Sequence, residues 1–437
     1  MNEFQYILHT TIGTLGSYFE LILTFLPIML VIEVPLLLFV FIGVLYWSRE
    51  ANNTTLNSTP SMSFIITCYG EGNEITKTID TLVEQRYSGL IEILIVIDGA
   101  EQNLSTYSAA IKGQKRHYLR KDREIKVLPK WQRGGRVSTL NAGLSEAKYD
   151  LVINVDGDTS FDNNVACQLA LSFLDPNVIA CGGALRVRNR QDSFWTRMQS
   201  LEYMMSMQTS KTGMATWGLL NNISGAFGAF KRPILKQIGG WDTHTAEDLD
   251  LTFRLKQYKK RYPNIRLNFS PQAIGHTDVP STLRSLLSQR LRWDGDLLFL
   301  YLRKHRRGLD PNLLGWGSFL YILVYGVLQT VLFPLIMALF NVYLFLFYPT
   351  TVVLAVLSCL YIIYFLFISL TFLVYLALIS ERVKEDREMV LWLFIYPFYA
   401  LFMRIFTAFA MLNEVVRRGH EESSMAPWWV LKRGKRF

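Results

Sequence analysis

Hydrophobic positions along this chain fall into long runs separated by one extended stretch of mixed pattern. Residues 18–47 are largely apolar, 48–312 read as a soluble domain, and 316–346, 350–380 and 389–413 are apolar again. Runs of this length exceed the ~20 residues that cross a bilayer. The pattern predicts five regions: a membrane anchor of one or two helices over 1–50, an α/β domain over 60–280, an amphipathic region over 281–312, membrane or interface helices over 313–413, and a basic tail over 414–437. The first run lacks the early basic region and small-residue cleavage site of a signal peptide, so it reads as a retained anchor. His9, Gly13 and Gly16 make residues 4–17 a weak second candidate, and Glu20 and Glu33 interrupt the stronger run.

Within the soluble stretch the period changes. The segment from Met62, MSFIITCYGEGNEITKTIDTLVEQRY, gives a short apolar strand, a glycine-containing turn and a helix with Ile75, Ile79 and Leu82 on one face. IEILIVIDGA and YDLVINVDGDTS are two further apolar strands, ending at Asp98 and Asp156. Strands of this kind separated by helices predict a doubly wound sheet whose ligands bind at the strand C-termini.

The charge, +9 over 437 residues, concentrates beside the apolar runs, at Arg303 to Arg307, at Arg417 and Arg418, and at Lys432 to Arg436. That placement favours cytoplasmic loops and anionic lipid headgroups over nucleic acid. The loop Ser380 to Arg387 reads as returning to the cytoplasmic side. A crossing at 389–413 would then place the basic tail outside, and this run also holds Pro397 and Arg404, so the expectation is a segment along the interface or re-entrant. Cys68, Cys167, Cys181 and Cys359 show no paired spacing, which argues against a disulfide framework or zinc site.

Asp156 and Asp158 flank a glycine after a buried strand, where both can face a hard cation such as Mg²⁺ or Mn²⁺, and through it a diphosphate; the same pattern is also an ordinary Asp-Gly turn. Glu247, Asp248 and Asp250 open a helix, where the dipole alone favours carboxylates. Before them SGAFGAFKRPILKQIGGWD supplies a small-residue loop able to approach a ligand. QRLRW, Gln289 to Trp293, reads either as a basic interfacial helix with an aromatic anchor or as part of a site.

Taken in order, TCYGE, DG, DGD, SGAFGAFKR, GGWD with AED, and QRLRW resemble the motifs of inverting family 2 glycosyltransferases embedded in membranes, within which the likeness is to processive synthases of poly-N-acetylglucosamine, hyaluronan, chitin oligosaccharides and cellulose. The resemblance covers about residues 60–300 motif by motif. It implies a GT-A fold, a doubly wound mixed sheet inserted between N- and C-terminal transmembrane helices. It assigns Thr67, Tyr69, Glu71 and Arg136 to the nucleotide pocket, Asp98 to the uridine, Asp156 and Asp158 to the diphosphate through Mg²⁺ or Mn²⁺, and Asp248 to the general base with Glu247 beside it. Ser224, Gly225 and Trp293 would meet the acceptor sugar, and Gln289 and Arg292 the donor diphosphate.

Two departures stand out. Gly70 occupies a position commonly held by asparagine, and Arg136 one often held by lysine. Asp294 and Asp296, after the tryptophan, read as a solvated helix turn or as acceptor contacts, and His276 as structural. The implied partners are a UDP-sugar, a growing polysaccharide, membrane lipids and a small membrane subunit or export partner. Three readings are carried forward: a polymerising synthase that exports its product, a non-processive transferase making a short oligosaccharide or glycolipid, and a non-catalytic subunit or transporter with a regulatory domain.

Overall fold

Side chains on successive strand residues point to opposite faces, so a strand apolar at every position must be covered on both sides. The computed structural model describes residues 29–51, 58–242 and 245–417, with Gln5, Tyr6, His9, Thr10, Gly13, Leu56 and Pro427 besides. Most of residues 4–17 and of the tail 414–437 lie outside the described residues.

The three anticipated strands form as Met62–Cys68 (β1), Ile91–Asp98 (β2) and, after an unanticipated edge strand Arg123–Lys130 (β3), Leu151–Asp156 (β4). They are parallel in the order β3-β2-β1-β4. Ser160–Phe161 (β5), Val178–Val187 (β6), Phe227–Lys231 (β7) and Arg266–Thr277 (β8) extend the sheet as β7-β6-β8-β5, with β7 antiparallel to both β4 and β6. Phe64, Ile66, Ile93 and Ile95 pack on one face against Ile75 and Ile79 of helix Ile75–Val83. Ile65, Leu94 and Val96 pack on the other against Leu140 of helix Arg136–Glu146 and Leu251 of helix Glu247–Arg261. Each such burial contributes about 1.5–3 kcal/mol. The C-terminal ends of β1, β2 and β4 therefore carry Thr67, Asp98 and Asp156 to one edge.

Among the described residues four helices are long and apolar enough to cross a membrane, Val31–Glu50, Trp316–Phe347, Thr350–Leu378 and Tyr396–Arg417. The first is fastened to the α/β domain. Gly43 and Gly213 lie at a helix crossing with no room for a Cβ on either, the Phe39 and Trp217 rings stack at 4.7 Å, and Trp217 Nε1 donates to the Phe39 carbonyl at 2.9 Å.

Residues 389–413, expected along the interface or re-entrant, fall in two elements. A short 3₁₀ segment, Glu388–Phe394, is followed by the helix of spanning length and composition from Tyr396. Arg404 had argued against a crossing, but its Nη2 reaches Glu33 Oε1 of the anchor at 2.9 Å, and Tyr364 donates to Glu33 Oε2 at 3.0 Å. Paired and hydrogen-bonded between helices, the two charges largely lose the cost each would carry alone in hydrocarbon.

The loop after Leu378 docks on the α/β domain, which puts it on that domain's side of the membrane. Asp386, fully buried, pairs with Arg186 and accepts hydrogen bonds from Tyr375 at 2.8 Å and Ser380 at 2.6 Å. Arg382 binds Asp162 at 2.8 Å, and Asp162 also holds His276 at 2.9 Å, in keeping with a structural histidine. The basic run at 303–307 is only partly free for lipid. Lys304 and His305 turn inward to Asp250 at 2.9 and 2.8 Å and Arg303 to Glu414 at 3.4 Å, because the buried Asp250 needs counter-charge, while Arg306 and Arg307 stay exposed.

Asp386→Ala leaves Arg186 buried without its partner, an expected loss of about 3–5 kcal/mol. Thermal melting in detergent followed by tryptophan fluorescence should show a clear drop; an unchanged melting point would mean that the loop does not brace the domain.

Candidate active site

The site is assembled from the ends of β1 and β4, the loop before β7, and the entry to helix Glu247–Arg261. Register places Thr67 beside Asp156, with Thr67 Oγ1 3.4 Å from Asp156 Oδ1. Glu71 folds back over Gly157, where an added Cβ would press on the Glu71 carboxyl carbon at 3.1 Å. Its Oε1 accepts from the Tyr69 amide at 2.8 Å, and its Oε2 is buried with no partner. The Tyr69 ring lies under the Arg133 guanidinium at 4.0 Å.

Arg136 stands at the centre. Its Nη1 lies 2.5 Å from Asp156 Oδ1, its Nε 2.6 Å from Glu247 Oε1, and its Nη2 donates to the Gly225 carbonyl at 2.6 Å. Burial opposes its charge, but Asp156 and Glu247 more than offset that and hold it firmly protonated. Asp158, at the more exposed rim, has only the weaker pull of Arg188: desolvation, then the neighbouring Asp156, push its carboxyl up to about 6.

The chain enters the helix through Ala246 at φ 51°, the one non-glycine residue with positive φ among the described residues. Such a conformation costs of order 1–3 kcal/mol and persists only where its surroundings impose it. It turns Glu247 inward against Arg136 and sets Asp248 on the helix N-terminus. Asp248 Oδ2 accepts from Asn222 Nδ2 at 3.0 Å and the Gly225 amide at 3.2 Å. Gly225 therefore serves through its backbone. A Cβ there would come 2.9 Å from Glu247 Oε1, so glycine is what lets this loop approach the carboxylates.

QRLRW lies on helix Leu283–Leu298. Its Gln289, Arg290, Arg292 and Trp293 line the same cavity as Asp156 and Asp248, together with Ser224. Gln289 Oε1 is buried without a partner, and Arg292 makes no hydrogen bond or ion pair among the described residues. Arg290 serves the fold, binding Glu202 at 2.7 Å and lying over the Trp293 ring at 4.9 Å.

One sequence expectation changes and another gains a structural setting. Asp98, assigned to a uridine, accepts through Oδ1 from Lys130 Nζ and the Gly134 amide and through Oδ2 from the Gly135 amide, all at 2.8 Å, so it also clamps the loop that presents Arg136. Asp294 and Asp296 are not a solvated turn: Asp294 accepts from Thr407 at 2.8 Å, and Asp296 is only 6% exposed because the helix bearing both is sandwiched between the α/β domain and the last span. Sequence reading also missed Asn222 and Lys211. Lys211 lines the cavity, and burial, against the attraction of Asp248, lowers its pKa to about 8. Nothing in the spacing of either residue marks it.

No cluster of three or more metal-ligating side chains occurs among the described residues. A divalent cation here would take Asp156 and Asp158 and complete its shell with phosphate oxygens and water, the habit of Mg²⁺. With Glu71 Oε2 unpartnered beside these two carboxylates, the all-oxygen donor set fits such an ion.

Residues 63–239 match the model of Glycosyl transferase family 2, in a chain that also holds, among the described residues, four helices long and apolar enough to cross a membrane. The chain is homologous to poly-beta-1,6-N-acetyl-D-glucosamine synthases, with 28% identity to that of Staphylococcus epidermidis over 234 residues, 53% of each chain, and 29% to that of Staphylococcus aureus over 258 residues, 57% of this chain and 59% of the relative. The chain thus matches somewhat over half the length of these curated relatives. A mannosyltransferase from Pyrobaculum calidifontis, solved with GDP-Man and Mn²⁺, shares the fold at a TM-score of 0.50 and 16% identity, covering 94% of this chain and 99% of its own.

Arg136→Met strips two carboxylates of their shared cation, which should cost about 3–5 kcal/mol in metal-free protein. Added Mn²⁺ should recover more of the melting temperature in the variant than it gains in the wild type; equal shifts would show that the guanidinium and the cation do not compete at Asp156.

Proposed function

We propose that the protein is an inverting β-glycosyltransferase that polymerises a UDP-activated sugar on the cytoplasmic face and passes the product through its own membrane helices. UDP-N-acetylglucosamine is the favoured donor, by likeness to the staphylococcal synthases, and UDP-glucose the next. The observation that carries this reading is one cavity of about 1120 Å³ that takes in Asp156, Asp158 and Asp248 at one end and Tyr325, Gln329, Asn341 and Tyr364 of the spans at the other, with Trp293 on its wall. A transferase that released a short product would have little use for a polar lining at that depth.

Asp248 acts as base, taking the proton of the attacking hydroxyl as its oxygen bonds to C1 and the bond from C1 to UDP breaks on the opposite face. A carboxylate accepts at about four positions, so the bonds from Asn222 and Gly225 fix its direction and still leave it free to receive a proton. Arg136 and Arg292 supply positive charge to the departing diphosphate. A bound Mg²⁺ or Mn²⁺, at Asp156 and Asp158, would stabilise the same charge as a Lewis acid. Tyr69 and Thr67 border the nucleotide, Asp98 holds its loop, and Trp293 and Ser224 face the acceptor, the indole offering a flat apolar surface to a pyranose ring. Arg306 and Arg307 suit anionic headgroups beside the domain.

UDP release from purified protein, given each donor alone and in pairs with products sized on a gel, tests the reading; no release with any nucleotide sugar overturns it. Asp248→Asn should lower transfer at least a hundredfold with UDP affinity within about threefold, since it removes a base and no nucleotide contact. Comparable loss of UDP binding would sink that role. EDTA should stop turnover and Mn²⁺ or Mg²⁺ restore it, whereas metal-independent turnover would remove Asp156 and Asp158 from the role given them.

A further inference from the structure

The helix carrying QRLRW brings a further side chain to the cavity one turn later. Gln289, Trp293 and Asp296 follow at i, i+4 and i+7, which is one face of a helix, and all three line the cavity. Asp296 is 6% exposed and its Oδ1 has no hydrogen-bond partner. Thr245, 4% exposed and just before the strained Ala246, stands within side-chain hydrogen-bonding reach of Asp296, and Gln289 Oε1 is a second oxygen without a partner. Buried polar atoms are overwhelmingly satisfied in folded proteins, since each one left open forfeits roughly 1–3 kcal/mol. Two on the wall of one cavity, both oxygens able to accept and one of them beside the Thr245 hydroxyl, describe the complement of a ligand edge rich in O–H donors.

The placement narrows the ligand. Asp296 lies close enough to Glu247 and Asp248 to feel their charge, with Arg292 opposing it. It stands apart from the donor pair: Asp156 and Asp158 sit at the end of β4, whereas Asp296 follows Trp293 by one turn on its helix. We propose that Asp296, with Thr245 and Gln289, forms a hydroxyl-binding subsite that grips the terminal sugar of the acceptor and sets its attacking hydroxyl at Asp248. The inference rests on the transferase reading above and adds a residue that fixes which acceptor end is accepted. Asp296 is a positioning residue, acting on sugar hydroxyls and not on the reacting bond. Burial, then the charge of Glu247, raise its carboxyl above the usual range, while Arg292 opposes the shift.

The test uses full-length protein in detergent, saturating Mn²⁺, UDP-N-acetylglucosamine as donor and a β-1,6-linked N-acetylglucosamine tetrasaccharide as the acceptor probe. Asp296→Ala should raise the acceptor KM about tenfold or more, the loss expected for a hydrogen bond or two, with donor KM within twofold. Asp296→Asn, which keeps a donor and an acceptor, should recover most of the loss, and Thr245→Val should reproduce part of it. A matching rise in donor KM, or an acceptor KM unmoved by Asp296→Ala, overturns the subsite. If Asp296→Ala does not fold, the Asn and Val variants decide by the same split. Failure of the wild type to transfer to any acceptor would instead count against the transferase reading, and direct binding of the tetrasaccharide by wild type and variants, read by calorimetry, keeps the two outcomes apart.

Discussion

The contact between Arg136 and its two carboxylates organises everything around it. Asp156 ends a central strand, Glu247 begins a helix that packs on the opposite part of the sheet, and the Gly225 loop lies between; one guanidinium reaches all three. Without a shared cation, two buried carboxylates would repel, and the entry to the helix through Ala246 would have nothing to hold it in its left-handed conformation. The clamp of Asp98 on the preceding loop is the next layer out, because it decides where Arg136 begins its helix. The site is thus prepared before any ligand arrives: charge is balanced at Asp156 and Glu247 and left unbalanced at Asp158, where charge from outside is expected.

How far this was legible depends on what kind of information each part carries. Strands apolar at every position announced a sheet covered on both faces, and β1, β2 and β4 run where MSFIITC, IEILIVID and LVINVD indicated. Arg123–Lys130 escaped because an edge strand, covered less completely, alternates polar with apolar and includes Pro129. Asp156, Asp158, Glu247, Asp248 and Trp293 were found because they recur in an ordered set of motifs; the structure brings them to one cavity, along with Arg136, Gln289, Arg292, Ser224 and Gly225. Lys211 and Asn222 were invisible because tertiary folding alone sets them near Asp248, and the loop clamp at Asp98 was invisible because sequence shows a carboxylate without showing its three donors.

The membrane part teaches the same lesson through charge. Arg404 and Glu33 each looked like an argument against a helix crossing a bilayer, and each is the other's justification. A reading along the chain weighs every charge against lipid, while the folded protein weighs it against a partner 371 residues away.

The fastenings described for the α/β domain also bear on mechanics. The anchor grips it at Gly43 and Gly213, and the loop at Asp386 and Arg382 grips it from a different element. A body fastened at two separated points to the helices it works beside is braced against rocking. In the polymerising reading proposed above, a saccharide would then advance through shifts of side chains and helix ends, stepping along a stationary wall and not carried by a moving one.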